Sequence, residues 1–339
     1  MWKTFGQDHL INKLEASFNA QRLPHALLLT GPVHVGKMSL ALDIAQLTIC
    51  QEPDSGPCNT CYACRRIISG HHTDVQIISR EDNNTSNSLK KEIGIQQIRE
   101  VQKYAYLGPF EANRRTIIID SAEFLSEEAA NSLLKLLEEP PPGILLVLLC
   151  SWENGLLPTL KSRCHRLKLK QVGRQHIIEK LLERGADVDH ANLLSRLAHG
   201  CPGWALNTLE DPSLLDQRKA HLYQFHKVLD ANLVEQFDYA STLSSMFFRD
   251  KDTVVEILNM WLSCWRDILL IICNADDFVD NVDMLDQLNT LGRRYDNIQV
   301  ISAIHSVYDT LVALEYNANP RLALEVMMAN MPRNTSGHE

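Results

Sequence analysis

The sequence lacks any hydrophobic run long enough to cross a membrane. Its longest apolar stretches, such as Ile144 to Cys150, are far shorter than the roughly 20 residues that a spanning helix needs. The first residues, Met-Trp-Lys-Thr-Phe-Gly, also lack the apolar segment of a signal peptide. These absences predict a cytoplasmic protein with no membrane partner. In that compartment its 9 cysteines are expected to be thiols or metal ligands rather than disulfides.

The chain also lacks an excess of basic residues. Its 33 Lys and Arg are outnumbered by 42 Asp and Glu, which gives a formal net charge of -9 over 339 residues. Affinity for nucleic acid comes largely from clustered Lys and Arg that release counterions from phosphates. We therefore do not expect the chain to coat DNA by itself. A role on DNA would need a local basic patch or a partner that brings the DNA.

Short β-rich and helical segments alternate through residues 26 to 170, which is typical of a parallel α/β sheet. The middle strands are almost wholly apolar, as strands buried on both faces by helices would be. A helix with Ser126 as its N-cap is predicted to run to Glu139, where prolines stop it. The predicted strands cover residues 26–30, 75–78, 116–120, 144–150 and 166–170.

From about residue 171 onward the pattern predicts helices only, with little β signal. We expect an α/β domain at 1–169 with a cysteine module at about 50–64, and a small helical domain at 170–211. An all-helical domain at 212–331 and a disordered polar tail at 332–339 complete the prediction.

A glycine-containing loop follows the first strand and opens a helix, the context in which backbone N–H groups converge on phosphate. A lysine at its end would neutralise the outer phosphates. The next residue should be Ser or Thr to ligate Mg²⁺, but it is Met38, whose thioether is a poor ligand for that hard cation. Ser39 lies about 100° further around the helix and would substitute only if the loop shifts. The candidate phosphate residues are Gly31, Gly36, Lys37, Met38 and Ser39.

The third predicted strand ends at Asp120, where P-loop enzymes place the acid that holds hydrated Mg²⁺. The following residue, a glutamate in hydrolytic versions, is Ser121, which cannot act as a general base near neutral pH. Glu123 lies two residues beyond, in the expected loop. A simpler interpretation of Asp120 is a turn former at a strand end. Met38 stands at the position of the Mg²⁺ ligand, and Ser121 stands at the position that polarises the attacking water. Together they predict a site that does not hydrolyse ATP.

Four cysteines form the pattern C-x₇-C-x₂-C-x₂-C across a turn-rich segment. Tight C-x₂-C pairs place thiolates at the edges of a tetrahedron around Zn²⁺, and four thiolates without water describe a closed, structural site. The alternative is four buried or redox-active thiols. His71 and His72 nearby are expected at the surface, and the other five cysteines in the core. The predicted zinc ligands are Cys50, Cys58, Cys61 and Cys64.

Arg163 precedes the last predicted strand and follows a Leu-Pro turn. At the edge of the sheet it could reach a phosphate held by a neighbouring subunit. Because Lys161, Arg166 and Lys168 surround it, it could equally belong to a solvated basic face of an edge strand.

Taken together, these segments resemble the clamp-loader branch of the AAA+ proteins, as found in the bacterial DNA polymerase III clamp loader. The resemblance covers roughly residues 1 to 210. It rests on Phe-Gly-Gln at 5–7, the run from Pro24 to Pro32, the zinc cysteines, Asn-Ser-Leu-Leu-Lys-Leu-Leu-Glu-Glu-Pro-Pro at 131–141 and Leu-Pro-Thr-Leu-Lys-Ser-Arg-Cys at 157–164.

The resemblance implies a RecA-like AAA+ domain, a helical lid and a helical collar that joins five subunits into a ring. It implies tau/gamma and delta subunits as partners, and a sliding clamp and primer–template DNA met through the assembled complex. Arg163 falls on the family's arginine finger, which acts on ATP held by an adjacent tau/gamma subunit. Tau/gamma subunits carry a sensor arginine where this chain has Gly203. That departure, with Met38 and Ser121, favours a non-hydrolysing stator subunit, while Lys37 leaves binding of ATP, ADP or phosphate open.

Two other functions fit parts of the sequence. An active clamp-loader ATPase would need Ser39 and Glu123 to replace the missing groups. A P-loop nucleotide kinase with a zinc lid is the second, although the long helical C-terminus and the lack of an arginine-rich substrate lid count against it.

Overall fold

The computed structural model of the protein describes residues 1–53, 56–80, 92–316 and 318–332. The chain divides into two compact units. The first is Met1–Ile177 with Gly200–Trp204, and the second is Ile178–His199 with the chain from Ala205 onward. The three-domain division from the sequence stays a prediction, and its tail at 332–339 lies, beyond Pro332, outside the described residues.

The first unit is built on a five-stranded parallel sheet in the order β2-β3-β4-β1-β5. Every residue of the three central strands is buried, which explains their continuous apolar runs. The edge strand β5 exposes three of its four residues. The α/β fold predicted from the sequence is confirmed. The strands are β1 (Ala26–Thr30), β2 (Val75–Ile78), β3 (Arg115–Ile119), β4 (Ile144–Cys150) and β5 (His165–Lys168).

Helices cover both faces of this sheet, and alternate residues of each strand supply the two cores. Leu27 and Leu29 of β1 join the core on one face, whereas Ala26 and Leu28 join the core on the other. The fifth helix begins as predicted, because the Ser126 hydroxyl accepts the Ala129 N–H at 3.2 Å. The helices are α1 (Asp8–Asn19), α2 (Lys37–Ile49), α3 (Tyr62–Ile68), α4 (Ile95–Tyr106), α5 (Glu127–Glu138) and α6 (Pro158–Arg163).

The remaining described chain is helical. Its core centres on Trp261 and Trp265, which are fully buried and meet the ring of Phe225 edge-on. None of the helices within the described residues is long and apolar enough to cross a membrane. These helices are α7 (Arg174–Glu183), α8 (Val188–Leu197), α9 (Pro202–Glu210), α10 (Ser213–Asp230), α11 (Leu233–Phe247), α12 (Lys251–Ile272), α13 (Leu285–Arg294), α14 (Asn297–Glu315) and α15 (Pro320–Ala329).

Candidate functional site

The loop between β1 and α2 is wound by two residues in the left-handed region. Gly36 has φ 103°, and His34 has φ 61°. A non-glycine residue rarely adopts such a backbone conformation, and strain of this kind is characteristic of functional sites. Helix α2 begins directly after the loop, at Lys37. The loop therefore keeps the strand, loop and helix arrangement that the sequence predicts for a phosphate cradle.

The Lys37 ammonium is bonded inside this loop. Its Nζ donates to the carbonyl oxygens of Gly31 and Pro32, both at 2.7 Å, and to Oγ of Ser151 at 3.0 Å. Burial lowers the pKa of Lys37, while the nearby charge of Glu123 acts in the opposite direction. The sequence reasoning missed Ser151. Its signal is its position directly after β4, because the carboxyl ends of parallel strands meet at one edge of the sheet.

Two acids lie near Lys37. Asp120 directly follows β3, and burial raises its pKa, while the charges of Lys37 and Arg80 act to lower it. Glu123 lies in a 3₁₀ turn, and its Oε1 accepts the backbone N–H of Ser151 at 2.9 Å. The structure thus brings Asp120 and Glu123 to the same pocket as Lys37.

The residues at the Mg²⁺-ligand position offer little to a metal. Met38 is half-buried and packs against the apolar core that contains Leu40 and Ile44. Ser39 is exposed on the following helical position. The oxygen that would ligate Mg²⁺ next to Lys37 is therefore replaced by a side chain directed toward the core.

The first turn of α9 approaches the same loop closely. The N–H of Gly203 donates to the carbonyl oxygen of His34 at 2.8 Å, and a Cβ added at Gly203 would lie 2.8 Å from that oxygen. A side chain at this position would therefore force the backbone apart. The resemblance implies a sensor arginine at this position in tau/gamma subunits, and a Cβ at Gly203 would not fit without a shift of the backbone.

Four sulfur atoms form the second candidate site. The Sγ atoms of Cys50, Cys58, Cys61 and Cys64 all lie within 4.8 Å of one another, and those of Cys58 and Cys64 are 3.9 Å apart. A tetrahedral Zn²⁺ with bonds of about 2.3 Å requires sulfurs about 3.8 Å apart. The cluster therefore has the donors and the spacing to hold such an ion.

Backbone N–H groups around the cluster point to sulfur. The N–H of Cys58 donates to Cys50 Sγ at 3.4 Å, that of Cys61 to Cys58 Sγ at 3.3 Å, and that of Cys64 to Cys61 Sγ at 3.4 Å. Donation from the Cys61 N–H, with that of Thr60, lowers the pKa of Cys58 to about 6. Such donors stabilise thiolates, which are the form that binds metal.

Two expectations, one for a histidine near these sites and one for a cysteine in the core, are wrong. His72 is buried rather than at the surface, and its Nδ1 accepts the N–H of Asp74 at 3.1 Å. Cys273 is exposed, since it follows the last turn of α12.

Arg163 is the last residue of α6 and lies at the surface. Its side chain is 36% exposed, and its Nη2 contacts Oε1 of Glu138 at 2.5 Å. Its Nη1 donates to the carbonyl oxygen of Thr159 at 3.0 Å. Both partners lie outside the Lys37 loop, so these contacts do not tie Arg163 to this chain's own phosphate loop.

Comparison with known proteins extends these observations. A family model described as DNA polymerase III, delta subunit, matches residues 6–173. The DNA polymerase III subunit delta' of Bacillus subtilis (strain 168) is 27% identical over 326 residues, which cover 96% of this chain and 96% of that protein. The chain belongs to the DNA polymerase III clamp-loader family, as a delta-prime-type subunit.

Two further proteins match this chain, one over less of its own length and one with lower identity. The DNA polymerase III subunit tau of B. subtilis is 30% identical over 77% of this chain, but the match spans only 46% of tau. A solved structure of a DNA polymerase III gamma subunit-related protein from Thermotoga maritima is 17% identical and covers 96% of this chain and 97% of its own. The TM-score between the two is 0.38.

Proposed function

We propose that this clamp-loader subunit is a non-hydrolysing, stator-type component that helps load the sliding clamp onto primed DNA. It assembles with tau/gamma and delta subunits and presents Arg163 to ATP bound on a neighbouring tau/gamma subunit. The observation that carries this proposal is the difference between the surroundings of Lys37 and those of Arg163. Lys37 is bonded to oxygens of its own pocket, whereas Arg163 lies at the surface on an exposed carboxylate.

Three positions support the loss of hydrolysis in this chain's own pocket. Met38 replaces the oxygen that would ligate Mg²⁺, and Ser121 replaces the group that would polarise water. The backbone at Gly203 is too close to His34 O to accept a sensor arginine. Each such group typically contributes several kcal/mol of transition-state stabilisation, so their joint loss leaves at most trace turnover.

Two ligands belong to this proposal. The four cysteines hold one structural Zn²⁺, which stabilises the segment between α2 and α3. Any residual binding of ATP, ADP or phosphate involves the amides of the loop from Gly31 to Ser39, Lys37 and Asp120, without turnover.

The surface ion pair is compatible with a role in trans. Both side chains of the Arg163–Glu138 pair are largely solvated, at 36% and 50% exposure, so the pair contributes little to stability. Arg163 can therefore exchange Glu138 for phosphate oxygens at small cost. A guanidinium can make two parallel hydrogen bonds to such oxygens, which an ammonium cannot.

The test is to assemble the clamp loader with an Arg163→Ala chain and to measure ATP hydrolysis stimulated by DNA and clamp. An arginine finger is worth about 10³ to 10⁵ in rate at one site, and a ring with several sites loses less overall. Arg163→Lys should resemble Arg163→Ala, and Arg166→Ala, an exposed arginine paired with Glu153, serves as the control. If the Arg163→Ala complex assembles and loads clamps at the wild-type rate, the finger role is wrong.

A second candidate function is an active ATPase of the tau/gamma kind. It is favoured by Glu123, whose carboxylate lies in the pocket of Lys37 and could serve as the base that Ser121 cannot. Steady-state ATP hydrolysis by the isolated chain decides between them. A rate comparable to a tau/gamma subunit, abolished by Glu123→Gln, would favour this candidate.

A further inference from the structure

One chain of contacts joins the lysine of the phosphate loop to Glu123. Lys37 Nζ donates to Ser151 Oγ at 3.0 Å, and the backbone N–H of the same serine donates to Glu123 Oε1 at 2.9 Å. Ser151 thus lies between a cation and an anion and contacts both. The opposite charges of Lys37 and Glu123 interact favourably within the pocket.

The ammonium of Lys37 has no donor to spare. A lysine ammonium carries three N–H donors. In this pocket three oxygens accept from Nζ, those of Gly31, Pro32 and Ser151. A phosphate oxygen can reach Lys37 only by displacing one of these acceptors, all of which belong to the chain itself.

Glu123 is held in its place from two sides. The N–H of Ser151 fixes one carboxylate oxygen. On the other side, Gly155 lies so close that an added Cβ would be 3.0 Å from Cβ of Glu123. The close packing positions the Cβ of Glu123, and the Ser151 N–H holds one carboxylate oxygen in the pocket.

A phosphate in the loop would therefore meet two carboxylates, those of Glu123 and Asp120. In working P-loop sites, Mg²⁺ compensates charge of this kind and is held in part by the hydroxyl that follows the lysine. Here that residue is Met38, packed toward the core. Without a well-placed Mg²⁺, less positive charge offsets the repulsion between these carboxylates and a bound phosphate.

We propose that Glu123 is the built-in counter-ion of Lys37, and that it lowers the affinity of the loop for free pyrophosphate and nucleoside diphosphates. Glu123 acts as a positioning and charge-setting residue, not as a catalytic base. This inference rests on the proposed non-hydrolysing role, since it explains how a retained lysine is kept from binding nucleotide productively. Its test uses the isolated chain and involves neither a change at Arg163 nor a partner subunit, so its failure leaves the finger role untouched.

The experiment compares wild type with Glu123→Gln by isothermal titration with pyrophosphate and with ADP, at fixed ionic strength and in the presence of EDTA. Glutamine keeps an oxygen that accepts the Ser151 N–H, so the variant removes charge and preserves the contact. The expected result is a gain of about tenfold in affinity for both probes, or about 1.4 kcal/mol. Adding Lys37→Ala to Glu123→Gln should remove the gain.

Glu128→Gln, an exposed acid in the first turn of α5, is the matched control and should leave affinity unchanged. If Glu123→Gln does not fold, as judged by circular dichroism, Glu123→Ala replaces it with the same expectation. Equal or weaker binding by a folded Glu123 variant overturns the proposal. A gain that persists after Lys37→Ala also overturns it, because the carboxylate would then act on something other than the lysine.

Discussion

Single residues decide what the phosphate loop can do, and the sequence shows only some of them. Met38 and Ser121 stand at motif positions, so their effects follow from residue type alone. Glu123 and Ser151 lie at the ends of different strands, and their meeting depends on β4 lying between β3 and β1. The order of the strands cannot be read from the sequence of either segment. The hydrogen bonds of Ser151 with Lys37 and Glu123 could therefore not be predicted.

The contact between Gly203 and His34 was also not predictable, because the two residues lie far apart in the sequence. Its N–H meets His34 O only because the first turn of α9 packs against the loop. The sequence shows that this position holds glycine and not arginine. The 2.8 Å distance that excludes a Cβ arises only from the tertiary packing of α9 against the loop. His72 is similar, because its burial follows from the packing of the segment before β2.

Asp74 gives a prediction at this scale. It is fully buried and accepts five hydrogen bonds, from the N–H groups of Phe110, Glu111 and Ala112 and from two nitrogens of Arg115. Burial alone would raise its pKa, but these donors outweigh burial and hold the pKa below its ordinary value. A carboxylate with a lowered pKa in the folded state stabilises the protein above its unfolded pKa, near 4, and loses that contribution as pH falls through the folded value.

Asp74→Asn should therefore cost about 3 kcal/mol at about pH 7, since it leaves Arg115 buried without its anion, and clearly less at about pH 3. Urea denaturation at both pH values measures the difference in the free energy of unfolding. Asp216→Asn, an exposed aspartate on α10, is the control and should change that energy by less than about 0.5 kcal/mol. A cost for Asp74→Asn that is the same at both pH values would contradict the assigned role of its charge.

At the scale of elements, apolar runs predict the strands well. They placed β1, β2 and β4 as observed, and β3 and β5 within one or two residues. For β1 and β4 the reason is that strands buried on both faces have few polar positions within them. The Ser126 cap placed α5. In the helical part, 3.6-residue periodicity indicated helices but not which aromatics are buried. Tyr223 is exposed although its neighbour Phe225 is fully buried.

The cysteine cluster gives a prediction at the element scale. The module packs against the start of the chain, since a Cβ added at Gly56 would lie 2.7 Å from Nε1 of Trp2. Its own apolar contacts are a small cluster of Ala45, Ile49, Ala63 and Ile67, which adjoins one of the two larger cores of the sheet through Val75. Binding energy of a structural Zn²⁺ should therefore fold the module and leave the sheet to its own core.

We expect one zinc per chain by metal analysis of protein purified without added zinc. Cys61→Ser should lose most of the metal, while Cys273→Ser, which removes an exposed thiol outside the cluster, should keep it. Chelation should abolish protection from hydrogen exchange around residues 56–68 and preserve it in β1, β3 and β4. Substoichiometric zinc with four titratable thiols in the native protein would show that the cluster is not a zinc site.

At the scale of the whole molecule, the chain carries a phosphate loop and an exposed arginine that serve different nucleotides in our proposal. In this proposal Lys37 is bonded to oxygens of its own chain, whereas Arg163 acts on a nucleotide held by a neighbouring subunit. In an assembled clamp loader, a change at Lys37 and a change at Arg163 should therefore have different effects on ATP hydrolysis. They can be separated because Lys37 and Arg163 have no contact partner in common among the described residues.

A loader assembled with Lys37→Ala in this chain should therefore hydrolyse ATP within about twofold of wild type, whereas one with Arg163→Ala should lose most of its clamp-stimulated hydrolysis. In the proposed role, turnover takes place on tau/gamma, where Arg163 would stabilise the charge that develops on the transferring phosphoryl group. Steady-state hydrolysis of both complexes, each shown by gel filtration to contain all subunits, measures the contrast. If Lys37→Ala lowers turnover as much as Arg163→Ala does, this chain's own pocket hydrolyses ATP, and the tau/gamma-like function replaces the stator role.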